Sequence, residues 1–301
     1  MGNRLLGRNA VITGASSGIG RAVALALAEE GANVVVADMV SGDEVISRCR
    51  KLGVKVAAHY GDVADFGIAD SMIKTCVDSF GGIDILCNIA GIFNPKMIFD
   101  VSEEEWDRMI AVHLKGTFNL TRHAAPLMKR QRYGRIVNCI SEAWVGMPVD
   151  LPYSTAKGGI AALTYSTACD VGAYGVTCNA ICPRAGTRDV ADMRTYLWPK
   201  VAEGLMTREL FDEFMNDLRA SPEYMSSIVA FLCSDRASHI NGCIFGTSAS
   251  RLSYWAPARE TITFARDWEK QGRWTCDEVE KCMPTLLSGY LNPAPPKPEK
   301  K

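Results

Sequence analysis

Tyr153 and Lys157 stand four residues apart in Tyr153-Ser154-Thr155-Ala156-Lys157. On a helix this spacing puts a phenol and an ammonium on one face. Free tyrosine ionises near ~10, too high for a base at neutral pH. A neighbouring positive charge favours the phenolate, so the pair is a candidate for moving a proton at an alcohol oxygen. A Tyr-x-x-x-Lys arises by chance in many helices, so its place in the chain must carry the argument.

The second constellation lies at the other end, in Thr13-Gly14-Ala15-Ser16-Ser17-Gly18-Ile19-Gly20. It follows an apolar run and opens an apolar helical pattern. Gly14 permits the turn, Gly18 lets backbone approach a pyrophosphate, and Gly20 lets the helix close on the strand. Free N–H groups and partial positive charge at the helix start favour phosphates. Ser16, Ser17 and Ile19 belong to the same phosphate-binding turn. Asp38 ends Val34-Val35-Val36-Ala37-Asp38, with Met39 after it. A carboxylate there can accept from both ribose hydroxyls and would repel a 2′-phosphate. Arg21 has no basic partner after Asp38. The expected cofactor is therefore NAD in preference to NADP.

These residues need a scaffold, and the chain supplies an alternation. Asn9–Thr13, Asn33–Ala37, Val54–His59, Ile83–Asn88, Arg135–Ile140, Val176–Cys182 and Gly242–Phe245 read as short, nearly all-apolar strands, as expected when both faces are buried. Ile19–Glu30, Glu44–Lys51, Phe66–Phe80, Glu103–Met128, Tyr153–Ala173 and Pro222–Ser234 carry helical periodicity. Ser41-x-x-Glu44, Ser102-x-x-Glu105 and Thr275-x-x-Glu278 fit capping boxes. The pattern predicts a single α/β domain over 1–250 with a doubly wound parallel sheet of Rossmann type. Residues 184–220 form a long insert rich in Met, Trp, Leu and Phe. Inserts of this length often cover a site, and an extra helical pair packed on the sheet edge would read the same. Residues 251–301 form a C-terminal extension, with Ser253–Pro257 and Gly272–Thr275 as docking segments and a Pro/Lys-rich end, Pro293–Lys301, expected to be disordered.

Taken in this order, the glycine turn and the Tyr-x-x-x-Lys resemble the short-chain dehydrogenase/reductase family over residues 9–250. The resemblance implies hydride transfer between nicotinamide and a secondary alcohol or ketone. It assigns Tyr153 as general base, Lys157 as its partner that also holds the ribose, and Ser141 as the hydroxyl donor to the substrate oxygen. Ser141 is the sole candidate, because the earlier serine of the family's run is Ile140 here. The fourth family residue is usually Asn, and His113 stands in its place. Its backbone carbonyl is expected to support the lysine, without acid or base work from the ring. The resemblance further places Asp62 and Val63 at the adenine, and Asn88, Ala90 and Gly91 in the family's Asn-Asn-Ala-Gly motif, with Ile89 replacing the second Asn. Pro183, Gly186 and Thr187 fall at the nicotinamide. Arg184 stands where the family has Gly, and is read as a solvated side chain or a contact for an anionic substrate group.

Trp144, Met147 and Val149, with Phe93 and Trp198, are expected to wall the substrate site. Together with Arg184 they suit a bulky apolar ligand. The Pro-x-Ala-Gly-Thr-Arg stretch and the Gly-Arg-Trp-Thr tail resemble a branch with hydroxysteroid dehydrogenases and the dehydrogenase part of peroxisomal β-oxidation enzymes. Two substrates compete, a steroid or bile-acid hydroxyl and a 3-hydroxyacyl-CoA, and the reading leans to the steroid. A non-catalytic NAD-binding module of the same fold is the alternative of another class. Family assemblies imply a homotetramer or homodimer.

The remaining composition narrows the partners. Net charge is −1, so no basic excess points to nucleic acid, and no basic helix points to a membrane surface. No apolar stretch of ~18 residues is present. Met1–Arg8 lacks a secretory pattern, and Leu6 stands where a myristoylation motif wants Ser or Thr. A cytoplasmic protein is expected. The eleven cysteines contain no C-x-x-C, and Cys87, Cys139, Cys169, Cys178, Cys182 and Cys233 read as buried small apolar groups. The four histidines form no ligand-spaced cluster, so no metal is expected.

Overall fold

A computed structural model describes residues 2–147, 150–187, 190–204 and 206–289, without the side chains of 190–193 and 196. The expected wall residue Val149 and the Pro/Lys-rich end Pro293–Lys301 lie outside what is described. The chain divides into two compact units, Met1–Trp255 and Ala256–Lys301.

The first unit alternates strand and helix as its apolar periods require. Its elements begin β1 Asn9–Thr13, α1 Gly18–Glu29, β2 Asn33–Asp38, α2 Asp43–Lys51, β3 Val56–Tyr60, α3 Phe66–Phe80 and β4 Ile85–Asn88. Then come α4 Glu103–Ile110, a π-helical segment Ala111–Lys115, α5 Gly116–Gln131, β5 Gly134–Cys139, α6 Leu151–Gly172 and β6 Val176–Pro183. The insert forms α7 Val190–Ala202 and α8 Arg208–Asp217, followed by α9 Glu223–Leu232, β7 Ile244–Thr247 and β8 Leu252–Trp255. The sheet order is β3-β2-β1-β4-β5-β6-β7-β8. All neighbours are parallel except β7 and β8.

Alternate strand residues feed two cores. Ala10, Ile12, Val34 and Val36 pack with α1, α2 and α9 side chains such as Leu25, Val45 and Val229. Val11, Val35, Ala37 and Leu86 pack on the other face with Met72, Leu120 and Val171. This period-2 division of all-apolar strands is what a sheet covered on both sides needs. The strand order reverses between β1 and β4, and a crevice opens beyond their carboxyl ends, where ligands of such sheets sit.

Three expectations change. The long helix Glu103–Met128 is interrupted by the π turn, whose extra residue per turn sequence periodicity does not reveal. The Ser41 capping box does not form: α2 starts at Asp43 after Gly42, with no side-chain cap. The Ser102 and Thr275 boxes do form. The third change is β8, read from sequence as a docking segment. It adds an antiparallel edge strand in which Leu252 and Tyr254 are exposed and Ser253 and Trp255 are half-buried.

The second unit holds α10 Trp268–Gln271 and α11 Cys276–Leu286. Arg266 pairs with Glu278 at 2.7 Å and lies 4.2 Å from the Trp274 ring centre.

Candidate active site

The cavity beyond β1, β4, β5 and β6 has a volume of about 590 Å³. At one end it is floored by the glycine turn. Gly14 has φ +65°, and a Cβ there would stand 2.9 Å from the Ala90 Cα. A Cβ on Gly20 would stand 2.1 Å from the Gly14 carbonyl oxygen. The turn can therefore close on β4 and α1 only because these positions lack side chains. Ser17, Gly18, Ile19, Met39, Asp62, Val63, Ala90 and Gly91 line the cavity.

Asp38 also lines it, held from behind. Its Oδ2 accepts the Ser16 N–H at 2.8 Å and its Oδ1 the Met39 N–H at 2.7 Å. Oδ1 also accepts the Val40 N–H at 3.4 Å, so Oδ2 is the oxygen that keeps a second lone pair for a diol. Arg21 is occupied by Glu223 at 2.5 Å and Glu44 at 3.4 Å. Arg108 was not anticipated. It reaches in from α4, pairs with Asp62 at 2.6 Å and approaches the Met39 sulfur at 3.9 Å. These donors and acceptors fit the phosphates, diol and base of a dinucleotide.

Three expected cofactor residues stand behind the wall. Asn88 turns into the core, where its amide donates to Asn138 at 2.9 Å and Thr121 at 3.2 Å. Ser16 uses its N–H on Asp38 and its hydroxyl on the Val40 carbonyl. Gly186 packs on the end of the insert, its N–H bonded to the Ala220 carbonyl at 2.8 Å. Pro183 and Thr187 do reach the cavity.

At the other end, Ser141, Tyr153 and Lys157 converge. Ser141 leaves β5 as the cap of a short 3₁₀ turn, Glu142–Val145, accepting the Ala143 N–H at 3.3 Å. Its hydroxyl also hydrogen-bonds Tyr153. The serine thus both caps a turn and addresses the site. Lys157 is 3% exposed and donates to the Cys139 carbonyl at 2.7 Å, with its Nζ 5.3 Å from the Tyr153 ring centre. Burial lowers the lysine below its ordinary value and raises the Tyr153 phenol above its own. The expected lowering of Tyr153 by Lys157 is therefore not what the protein alone produces. Burial raises its pKa, and without cofactor the resting tyrosine is a phenol.

His113 sits in the π segment, where Gly116 N–H reaches back five residues to Ala111. π turns recur at functional sites. Its Nε2 donates to the Ile92 carbonyl at 2.7 Å, and its ring meets Tyr153 edge-on at 5.2 Å. A Cβ on Gly91 would stand 2.3 Å from its Cε1. Burial, then the charge on Lys157, pushes it well below its usual value, so it is neutral and braces Tyr153 against the loop after β4.

The substrate wall differs most from expectation. Phe93 and Met147 line the cavity, and Phe93 meets Tyr153 edge-on at 5.4 Å. Trp144 does not line it. It packs on Trp255 at 5.7 Å and borders a neighbouring cavity that shares Met147. Trp198 is 45% exposed, stacked by Arg208 at 5.0 Å, and faces away, while Leu197, Phe214 and Leu218 form the wall. Arg184 reaches the cavity but is neither solvated nor free. It is 8% exposed and binds Glu142, Glu213 at 3.2 Å and Asp217 at 3.2 Å. It thereby ties the turn after Ser141 to α8. Among the described cysteines, Cys169 lies exposed rather than buried. No cluster of metal ligands occurs among the described residues, and no described helix is long and apolar enough to cross a membrane.

An α/β sheet with a dinucleotide crevice and a Ser-Tyr-Lys cluster defines a nicotinamide-dependent oxidoreductase. The chain belongs to the short chain dehydrogenase family, whose profile matches residues 8–199. It is 39% identical over 279 residues to the hydroxyacyl-CoA dehydrogenase ChsB1 of Mycobacterium tuberculosis, covering 87% of this chain and 84% of that one. It is 38% identical over 239 residues to the 3-oxoacyl-[acyl-carrier-protein] reductase FabG of Staphylococcus aureus, covering 78% and 94%. A short chain dehydrogenase structure from Mycobacterium avium superposes with a TM-score of 0.79 at 34% identity, covering 97% of this chain and 98% of the other.

Proposed function

We propose that the enzyme oxidises a 3-hydroxyacyl thioester, or reduces the 3-oxoacyl form, with NAD(H) as cofactor. The observation that carries the substrate class is the relationship over 87% of the chain to a protein named for hydroxyacyl-CoA. The relative named for a 3-oxoacyl-acyl-carrier substrate points the same way. For a bile acid, the expected contact of Arg184 with an anionic substrate group gains no support from the structure. Arg184 already meets three carboxylates, so an anion beside it would be repelled.

Bound nicotinamide supplies the acceptor for the hydride leaving the carbinol carbon, or the donor in the reverse direction. Ser141 and Tyr153 hold the substrate oxygen between them. In reduction the Tyr153 phenol gives its proton to that oxygen and becomes the phenolate; in oxidation Tyr153 must first lose its proton, and the phenolate then receives the alcohol proton. Lys157, fixed by the Cys139 carbonyl, keeps a positive charge beside the phenol. Leu197, Phe214 and Leu218 exclude water from the reacting oxygen. The Asp38 carboxylate supports NAD over NADP. Assembly as a homodimer or homotetramer is part of the same proposal.

The test is NADH formation with NAD or NADP over 3-hydroxyacyl-CoAs, hydroxysteroids, bile acids and simple secondary alcohols. Highest kcat/KM with NAD and an acyl-CoA is the expected result. A steroid preferred over every thioester would overturn the substrate class, and NADP preferred over NAD would overturn the role of Asp38.

A further inference from the structure

Asp150 is the polar group in the cavity that proton transfer and cofactor binding leave without a task. It stands three residues before Tyr153, at the start of α6, so it shares a face with Tyr153 and Lys157. An aspartate there would ordinarily cap the helix. This one makes no side-chain cap bond. It is 6% exposed, lines the cavity with Ser141, Tyr153 and Lys157, and its Oδ1 has no hydrogen-bond partner. A buried polar atom left unpaired costs about 1–3 kcal/mol. Such an atom in a ligand cavity calls for a ligand partner.

We propose that the Asp150 carboxyl holds the second oxygen of the substrate, the thioester carbonyl two carbons from the oxygen held by Ser141 and Tyr153, and so selects acyl thioesters over lone alcohols. This rests on the substrate class given above. A carbonyl oxygen only accepts, so the carboxyl must donate and carry a proton. Burial pushes it up to about 7, against the pull of Lys157, so the acid form is available at neutral pH. The cavity wall around it carries Lys157 and Tyr153 from its own helix, Cys139 from β5, Ser141 and Glu142 from the following turn, His113 from the π segment and Arg184 after β6. The loop before α4 adds Lys96, whose ammonium is paired with Glu105 at 3.1 Å. His113 is held neutral and Arg184 is committed to carboxylates, leaving Lys157 as the charge that acts on Asp150. As pH rises through about 7 the donor is lost and thioester binding weakens.

The experiment compares kcat/KM for a 3-hydroxyacyl-CoA with that for a secondary alcohol lacking a second oxygen, across pH, in wild type, Asp150→Asn and Asp150→Leu. Wild type should favour the thioester, with KM for it rising above neutral pH. Asp150→Asn keeps a donor that does not titrate, so its preference should persist and its thioester KM should no longer rise. Asp150→Leu should lower the thioester-to-alcohol ratio about tenfold, the loss of one hydrogen bond. An unchanged ratio in Asp150→Leu, or the same KM rise in Asp150→Asn, overturns the role of Asp150 while the substrate class stands. A wild type without thioester preference overturns the class, and this role with it. Should Asp150→Leu fail to fold, the pH profile of Asp150→Asn decides alone.

Discussion

The two ends of the cavity are made of different material. The cofactor end is backbone: a glycine turn pressed on Ala90, with peptide N–H groups fixing the carboxylate of Asp38. The substrate end is side chains, including a buried guanidinium among three carboxylates and apolar groups from α7 and α8. A backbone site tolerates little change, because a Cβ of fixed length meets atoms that cannot move. A side-chain site can be rebuilt residue by residue. One end therefore serves a common cofactor, while the other can diverge to set the substrate.

Substitutions at the boundary between the two ends should have the largest effect. Tyr153→Phe keeps both halves but removes the proton carrier. Turnover should fall ~10²–10⁴-fold, while NADH binding, followed by fluorescence titration, stays near wild type. Turnover within a few-fold of wild type would sink the role of Tyr153.

Breaking the charged hub should cost stability. Arg184→Leu leaves Glu142 and Asp217 without their cation, a loss of about 3 kcal/mol. The melting temperature should drop, and KM for substrate should rise more than KM for NAD. Equal rises would mean that the hub serves both ends.

At the backbone end, Asp38→Ala should raise KM for NAD about tenfold, the worth of one or two hydrogen bonds, and narrow the gap to NADP. Steady-state kinetics with both cofactors checks this.

Asp150 also links pH to stability. Its folded value is raised, so its contribution is fully present below the ordinary carboxyl range and disappears as pH rises through about 7. Asp150→Asn should therefore melt closer to wild type in acid and above it in mild alkali. The smallest effect belongs to Trp198→Ala. The ring faces outward, so kcat/KM should stay within about twofold, as expected for a surface change.

Much of the cofactor end could be read from the chain. The glycine turn, Asp38 and the strand runs depend on local rules, because a tight turn needs glycine and a buried strand needs apolar residues. The Ser-Tyr-Lys cluster was legible through its spacing and order. Asn88 and Ser16 were misplaced because a motif names a position without saying which way the side chain turns. Trp144 and Trp198 were misplaced because large apolar residues in a loop or insert look alike whether they face a ligand, a second tryptophan or water.

By itself the sequence determined the alternation, the doubly wound sheet and the pairing of a phosphate-binding turn with a proton-transfer triad. All of these follow from short-range periodicity and backbone sterics. Arg184 belongs to the other kind. Its carboxylate partners come from positions 142, 213 and 217, brought together only when β6, the turn after Ser141 and α8 meet. Asp150 is of the same kind. An acid one turn before Tyr153 is visible in the chain, but its burial, its missing cap bond and its place in the cavity arise from long-range packing. Burial and charge pairing sum over neighbours distant in sequence, and so they belong to the folded molecule.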